Sequence, residues 1–144
     1  MKEKKNLLIS LAKLSKAYRA EVKEEMSGAD FAPNELDLIT LLSNNEMDTS
    51  KEIADCLGLS KSLIARSVDA LVAKGYLETR VDEEDRRYIH LELTEQAKPI
   101  AERLRTRRKQ FMAAMTEEIS QEQFEQFEWM LEKMLANLER KKEE

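Results

Sequence analysis

The sequence predicts a mainly α fold that carries one small β-hairpin, an α+β arrangement. Apolar residues recur at three- and four-residue spacing over most of the chain, whereas strict two-residue alternation occurs only on either side of the charged loop from Asp82 to Arg87. Three Gly and two Pro among 144 residues also leave little room for long irregular segments. The stretch from Thr49 to Thr94 holds both alternating runs and organises the rest.

From Leu7 to Val22, the residues Leu7, Leu11, Leu14, Tyr18 and Val22 form one narrow helical stripe. Gly28 ends the pattern, and the connection SGADFAP closes on Pro33, a residue suited to the first turn of a helix. Leu36, Ile39, Leu41 and Leu42 then predict a short amphipathic helix from Asn34 to Leu42, with SNNEMD as the polar turn after it. Thr49 with Glu52 reads as a capping box, the hydroxyl taking an orphan N–H while the carboxylate reaches back to the cap. Ile53, Ala54 and Leu57 form the inner face of the helix that follows, and Gly58 supplies the freedom for a tight turn.

Ser60 caps the next helix, which runs to Lys74 and stops at Gly75. At 100° per residue its inner side carries Ile64, Val68, Leu71 and Val72, with Leu63 and Ser67 at the edge; Ser62, Ala65, Arg66, Asp69 and Ala73 lie opposite. Leu77, Thr79 and Val81, then Ile89, Leu91 and Leu93, predict a hairpin whose apolar face sits on the helices. Thr94 is expected to cap a helix carrying Ile100, Leu104, Phe111 and Met115, with Pro99 imposing a kink or a late start. Ser120 with Gln123 is a second capping box, and Phe124, Phe127, Leu131, Met134 and Leu138 follow at the spacing of a helix packed along another helix. The tail ERKKEE is expected to fray.

Composition excludes several classes. Cys56 is the single cysteine, so no internal disulfide and no cysteine-held zinc are expected. The N-terminal stripe is broken by Ser10, Lys13 and Lys16 and has neither the continuous apolar run of a signal peptide nor the length of a membrane span, so a reducing, cytoplasmic setting is expected. There is no Gly-rich phosphate loop, no nucleophile with a partnered base and no metal-ligand spacing, so neither enzyme activity nor a cofactor is expected. The net charge of −5 argues mildly against nucleic acid only for a uniformly charged body, because phosphates feel the local surface that meets them.

Helix, tight turn, helix and hairpin in this order spell a winged helix-turn-helix, whose second helix presents its outward, N-terminal side chains to base edges in the major groove. That surface carries Lys61, Ser62, Ala65, Arg66 and Asp69: Arg66 has the fork to match guanine, Ala65 suits a thymine methyl, and Ser60 and Lys61 suit phosphates near the helix start, with Thr49, also expected at the DNA, at the start of the preceding helix. Arg86 and Arg87, placed at the hairpin's base, suit the adjacent minor groove, and Asp85 can brace one of them. The bland alternatives are a solvated helix face and a mixed-charge hairpin tip, which Asp82, Glu83 and Glu84 favour by repelling phosphate.

These residues resemble the MarR-type transcriptional regulators over roughly Leu7 to Leu138. The likeness is most specific at Asp85, Arg87, Leu93 and Thr94, which reproduce a D-x-R-x5-L-T wing pattern after LGLSKSLIARSVDALVAKGYLE. The resemblance implies that Arg87 is a minor-groove arginine oriented by Asp85, and that Ser60, Lys61, Ser62 and Arg66 lie on a recognition helix. It also implies an obligate homodimer built from both terminal helices, with a cleft for small anionic or aromatic ligands between the dimer region and the DNA-binding lobe. The acidic run Asp82 to Asp85 and the position of Pro99 depart from the pattern.

The expected organisation is an N-terminal dimerisation helix at 1–32, a winged helix-turn-helix at 33–95, and linker and dimerisation helices at 96–144. Leu7, Leu11, Leu14, Tyr18, Phe124, Phe127, Leu131, Met134 and Leu138 are the expected dimer seam. The function expected is a ligand-responsive repressor that binds a palindromic double-stranded operator as a homodimer. The alternative is a protein-interaction module that kept the winged fold and lost strong DNA binding. Cys56 reads as incidental, His90 as an outward surface residue, Trp129, Met130 and Met134 as core, and the run Arg103, Arg105, Arg107, Arg108, Lys109 as a solvated face balancing nearby Glu.

Overall fold

The computed structural model describes residues 3–44 and 47–143. Its elements are α1 (Glu3–Glu25), α2 (Pro33–Ser43), α3 (Ser50–Leu57), α4 (Lys61–Ala73), β1 (Leu77–Val81), β2 (Ile89–Leu93), a single 3-10 turn (Glu95–Ala97), α5 (Lys98–Met115) and α6 (Gln121–Glu143). Asn45 and Glu46, in the expected polar turn, lie outside the described residues. The chain divides into two compact units, Met1–Arg108 and Lys109–Glu144.

The first unit is built around Leu38, Ile39, Ile53, Leu71 and Leu77, all fully buried. Burying each such side chain contributes roughly 1.5–3 kcal/mol. Met26 at the end of α1, Leu91 on β2, and Ala101 and Leu104 on α5 complete the cluster. Leu38 was not among the apolar positions expected to define α2, and it is one of the most buried residues in the chain. At the start of α2, Ala32 has no side chain to cap with, so Glu35 does the work in reverse: its Oε2 accepts from Ala32 N at 3.2 Å. The other oxygen of this buried carboxylate accepts from Lys74 Nζ at 2.6 Å, tying the start of α2 to the end of α4. The same Nζ donates to the Asp30 carbonyl at 2.6 Å.

The hairpin is antiparallel, in the register Leu77 with Leu93 through Val81 with Ile89. Only its inner end is covered: Leu77 and Leu91 are buried, while Val81 and Ile89, which pair at the far end, are exposed. The apolar face therefore packs on the helices for half its length and then projects beyond them.

Several local expectations change. Thr94 starts the 3-10 turn but does not cap it; its hydroxyl donates to the Gly75 carbonyl at 2.6 Å, which fastens the end of β2 to the start of β1. The late helix start expected from Pro99 is observed, because the 3-10 turn delays α5 until Lys98 and leaves Pro99 in the first turn, where its missing N–H costs nothing. The buried face of α4 is Ile64, Ser67, Val68 and Leu71, so it is rotated from the predicted one: Ser67 is inside and Val72 is 42% exposed. Small Ser67 permits close approach where a larger residue would hold the helix away.

The arginine run of α5 is less a solvated face than a set of ties. Arg103 Nε donates to Glu25 Oε1 at 3.2 Å and Arg107 Nε to Glu21 Oε2 at 3.0 Å, both on α1. Arg105 and Arg108 reach Ser43 O and Asn44 Oδ1 at the end of α2.

In the second unit, Ser120 and Gln123 form the expected reciprocal box, Gln123 N donating to Ser120 Oγ at 3.1 Å and Ser120 N to Gln123 Oε1 at 3.0 Å. The tail expected to fray is helical to Glu143, with Arg140, Lys141 and Lys142 in the last turn, where cations favour the negative end of the helix dipole. Phe127, Met134 and Leu138 are exposed, and Trp129 and Met130, expected in a core, are exposed as well. No residue of α6 is buried.

Candidate nucleic-acid interface

The turn between α3 and α4 is set by Gly58, whose φ of 67° lies in the left-handed region, and by Leu59 N donating to Ala54 O at 3.0 Å. Ser60 then caps α4, accepting from Leu63 N at 3.2 Å, with its Oγ also 3.2 Å from Ser62 Oγ. With Ile64, Ser67, Val68 and Leu71 facing the core, Lys61, Ser62, Ala65, Arg66 and Asp69 all face solvent. The predicted reading surface is thus assembled on one exposed side of one helix. Lys61 and Arg66 form no ion pair among the described residues, so both cationic heads are available.

Thr49 is different. Its hydroxyl accepts from Glu52 N at 3.2 Å and donates to Glu52 Oε1 at 2.7 Å, and the residue is buried. The carboxylate therefore accepts the hydroxyl's hydrogen bond instead of reaching back to the cap's backbone. Thr49 also bridges to His90 of β2, so it seats α3 on the hairpin, and unlike the other expected DNA-binding residues its hydroxyl is already engaged within the fold.

The wing loop is held by two aspartates. Asp82 Oδ2 accepts from Glu84 N at 3.1 Å and from Asp85 N at 2.9 Å, which closes the turn. Asp85 Oδ1 accepts from Arg87 N and Arg87 Nε, both at 3.0 Å, while its Oδ2 accepts from Arg87 Nη2 at 2.8 Å. This two-point grip fixes the guanidinium plane, yet the Arg87 side chain stays 86% exposed. The pairing holds the Asp85 carboxyl below the usual carboxylate range and raises the Arg87 guanidinium above its ordinary value. Arg86 and Arg87 lie in the loop beyond the Val81 and Ile89 pair, at the far end of the hairpin and not at its base. A groove of about 570 Å³ runs between α3, α4 and the wing, lined by Lys51, Lys61, Ala65 and Asp69 on one side and Arg87 and Tyr88 on the other.

The acidic wing has an internal explanation. Asp82 and Asp85 are half-buried and turned into the loop, leaving Glu83 and Glu84 as the exposed carboxylates. His90 is also half-buried: its Nδ1 lies 2.9 Å from Asp48 Oδ2 and its Nε2 2.7 Å from Asp82 Oδ1. Sequence reasoning missed this arrangement, because Asp48 is 42 residues away and alternation alone places His90 outward. Cys56 is exposed on α3.

Two helices joined by a tight turn, followed by a braced hairpin with an exposed arginine, define a winged helix-turn-helix protein. The sequence profile of the MarR family matches residues 29–87. Transcriptional regulator AdcR of Streptococcus pneumoniae is 39% identical over 64 residues, a segment spanning 44% of this chain and 44% of that protein. The structure of transcriptional regulator PA3341 superposes with a TM-score of 0.81 at 26% identity, covering 93% of this chain and 98% of that one. Staphylococcus aureus MepR in its DNA-binding conformation superposes with a TM-score of 0.83 at 19% identity, covering 92% and 98%. The chain therefore has the winged helix-turn-helix fold of these structures, and its sequence is similar to the MarR family over the matched segment. No described helix is long and apolar enough to cross a membrane.

Proposed function

We propose that the chain is a sequence-specific DNA-binding transcriptional regulator that acts as a homodimer on a palindromic operator. The observation that carries this reading is the Asp85–Arg87 grip, which aims an exposed guanidinium from the tip of the wing. α4 enters the major groove with Arg66 and Ala65 toward base edges and Ser60, Lys61 and Ser62 toward phosphates, while Arg87, flanked by Arg86, enters the neighbouring minor groove. The inward turn of Asp82 and Asp85 supports this reading over a protein-interaction module, because it removes half of the wing's negative charge from the surface that meets phosphate. AdcR is a transcriptional regulator, and MepR takes up a DNA-binding conformation with this fold.

The dimer is built from the stripes on the terminal helices, where Leu7, Leu14, Phe127, Met134 and Leu138 are exposed and Leu11, Tyr18, Phe124 and Leu131 partly so. A two-fold axis then presents two copies of α4 to successive major grooves, about 34 Å apart. Repression is relieved when a small molecule alters that separation. Within the first unit a cavity of about 690 Å³ lies between α2, α3, β2 and α5, with Leu42, Met47, Leu91 and Leu93 among its lining. Its cations Lys98 and Arg105 are already paired with Glu95 and Glu102, so an aromatic effector suits it better than an anionic one.

Selection from random duplexes followed by sequencing tests the reading: a palindromic winner supports it, and recovery of no preferred sequence defeats it. Size-exclusion chromatography with light scattering at low micromolar concentration tests the dimer, and a stable monomer removes it.

A further inference from the structure

His90 stands between two carboxylates that belong to different elements. Asp48 precedes α3, and Asp82 follows β1 and begins the wing loop. A neutral imidazole has one N–H and one bare nitrogen, so with a carboxylate at each nitrogen one contact would set lone pair against lone pair. The imidazolium donates at both, and both distances are those of charge-assisted hydrogen bonds. The contacts continue outward: Asp82 Oδ1 accepts from His90, its Oδ2 accepts from the Glu84 and Asp85 N–H groups, and Asp85 grips Arg87. They also continue inward, since Leu91 N donates to Asp48 O at 2.7 Å and Thr49, the cap of α3, bridges to His90.

We propose that His90 is the positioning residue of the wing, acting in its doubly protonated form to hold Asp82, and through it the Asp85–Arg87 pair, in register with the start of α3. This rests on the DNA-binding reading above and adds a proton to it: loss of the His90 proton loosens the Asp82 turn and with it the aim of Arg87. The groups facing His90 favour the charged form. Asp82 and Asp48 hydrogen-bond to it and raise its pKa above the ordinary imidazole value, while Arg80, paired with it across the hairpin, opposes them more weakly. The same cleft is lined from α3 by Lys51, Glu52 and Asp55 and from the wing by Glu84, Asp85 and Tyr88, an excess of carboxylate over cation. His90 is the single histidine of the chain, so its titration is read without ambiguity.

The test uses the full-length protein and the palindromic duplex recovered by selection, at constant ionic strength. Binding by fluorescence anisotropy is expected to weaken at least about fivefold between about pH 6 and about pH 8.5, as the imidazolium is lost. His90→Gln is expected to bind weakly with a flat profile. Asp82→Asn separates positioning from plain charge. Its amide nitrogen donates to a neutral His90 while its oxygen still accepts from the Glu84 and Asp85 N–H groups, so the wing holds and the profile flattens at the tight level. Simple loss of a negative charge would strengthen binding and leave the slope. A wild-type profile that is flat, or an Asp82→Asn profile as steep as wild type, overturns the proposal. Should no duplex be recovered, the DNA-binding reading fails, and the clamp is tested in the free protein by following the imidazole nitrogens and the Glu84 and Asp85 amides by NMR. Amides that do not shift with the His90 titration overturn it there.

Discussion

Replacing Arg87 by alanine isolates the wing from the rest of the interface. The side chain is 86% exposed and, among the described residues, its hydrogen-bond partner is Asp85 of its own loop, so its removal opens no cavity and leaves the core cluster untouched. What it removes is one guanidinium per wing, two in the proposed dimer. On B-DNA each neutralised phosphate contributes about 0.9 to the slope of log affinity against log salt, so the loss of two makes the slope shallower by about 1.8. Over a fourfold salt range, from about 50 to about 200 mM, wild type should therefore lose about twelvefold more affinity than the variant. Asp85 is left unpaired in Arg87→Ala and repels phosphate, so a double Asp85→Ala, Arg87→Ala variant should recover part of the lost affinity without recovering the slope. Arg87→Lys should restore charge but not the two-point grip, and should fall between the two. The assay is anisotropy on the selected duplex across a salt series, with light scattering to verify that assembly is unchanged. An Arg87→Ala slope equal to wild type would falsify the minor-groove role.

Four further outcomes are expected. Arg66→Ala should relax base preference at one position per half-site by roughly 1–3 kcal/mol, read by repeating the selection, whereas a uniform loss across sequences would reassign Arg66 to phosphate. Leu71→Ala, at a fully buried position on α4, should destabilise by about 2–5 kcal/mol in urea unfolding, and a change well below that range would mean the site collapses around the smaller residue. Gly75→Ala should cost about 1–2 kcal/mol, because φ is +85° there; the new Cβ would stand 2.8 Å from Gln96 Oε1, the end of a flexible chain that can move, so the backbone strain is the part that remains. The wing should also have an acid limit. Asp82 and Asp85 are held below the usual carboxylate range, Asp82 chiefly by His90 and Asp85 chiefly by Arg87, so their contribution is present above about pH 4 and lost as pH falls through the lowered values. His90 is raised, so its contribution is complete below about pH 6.5 and lost as pH rises through the raised value. Amide shifts of Glu84 and Asp85 should thus be steadiest between those limits, and amides that do not move as the Asp82 and Asp85 carboxylates titrate would contradict the carboxylate grip.

How much of the interface could be read in advance follows from the range of each interaction. The cap at Ser60, the reciprocal box at Ser120 and Gln123, and the Asp85–Arg87 pair all join residues two or three positions apart, where chain connectivity alone brings the partners within reach. The rotation of α4 was not readable. Val72 and Ser67 differ in hydropathy in the direction opposite to their burial, and the packed neighbours, not the side chains themselves, decide which of them fits inside. The exposed Trp129 and Met130 of α6 show the same limit: helical spacing marks an apolar side without saying what covers it.

The sequence by itself determined the helix-turn-helix and hairpin order, the outward set Lys61, Ser62, Ala65 and Arg66, and the arginine brace in the wing, since periodicity, caps and short hydrogen-bonded turns are local. Only the tertiary structure decided that Thr49 seats α3 on β2, that Arg103 ties α5 to Glu25 across 78 residues of chain, and that His90 stands between Asp48 and Asp82. Those contacts form because packing brings distant segments together, and a carboxylate at each nitrogen of an imidazole is a property of the assembled fold that no spacing along the chain encodes.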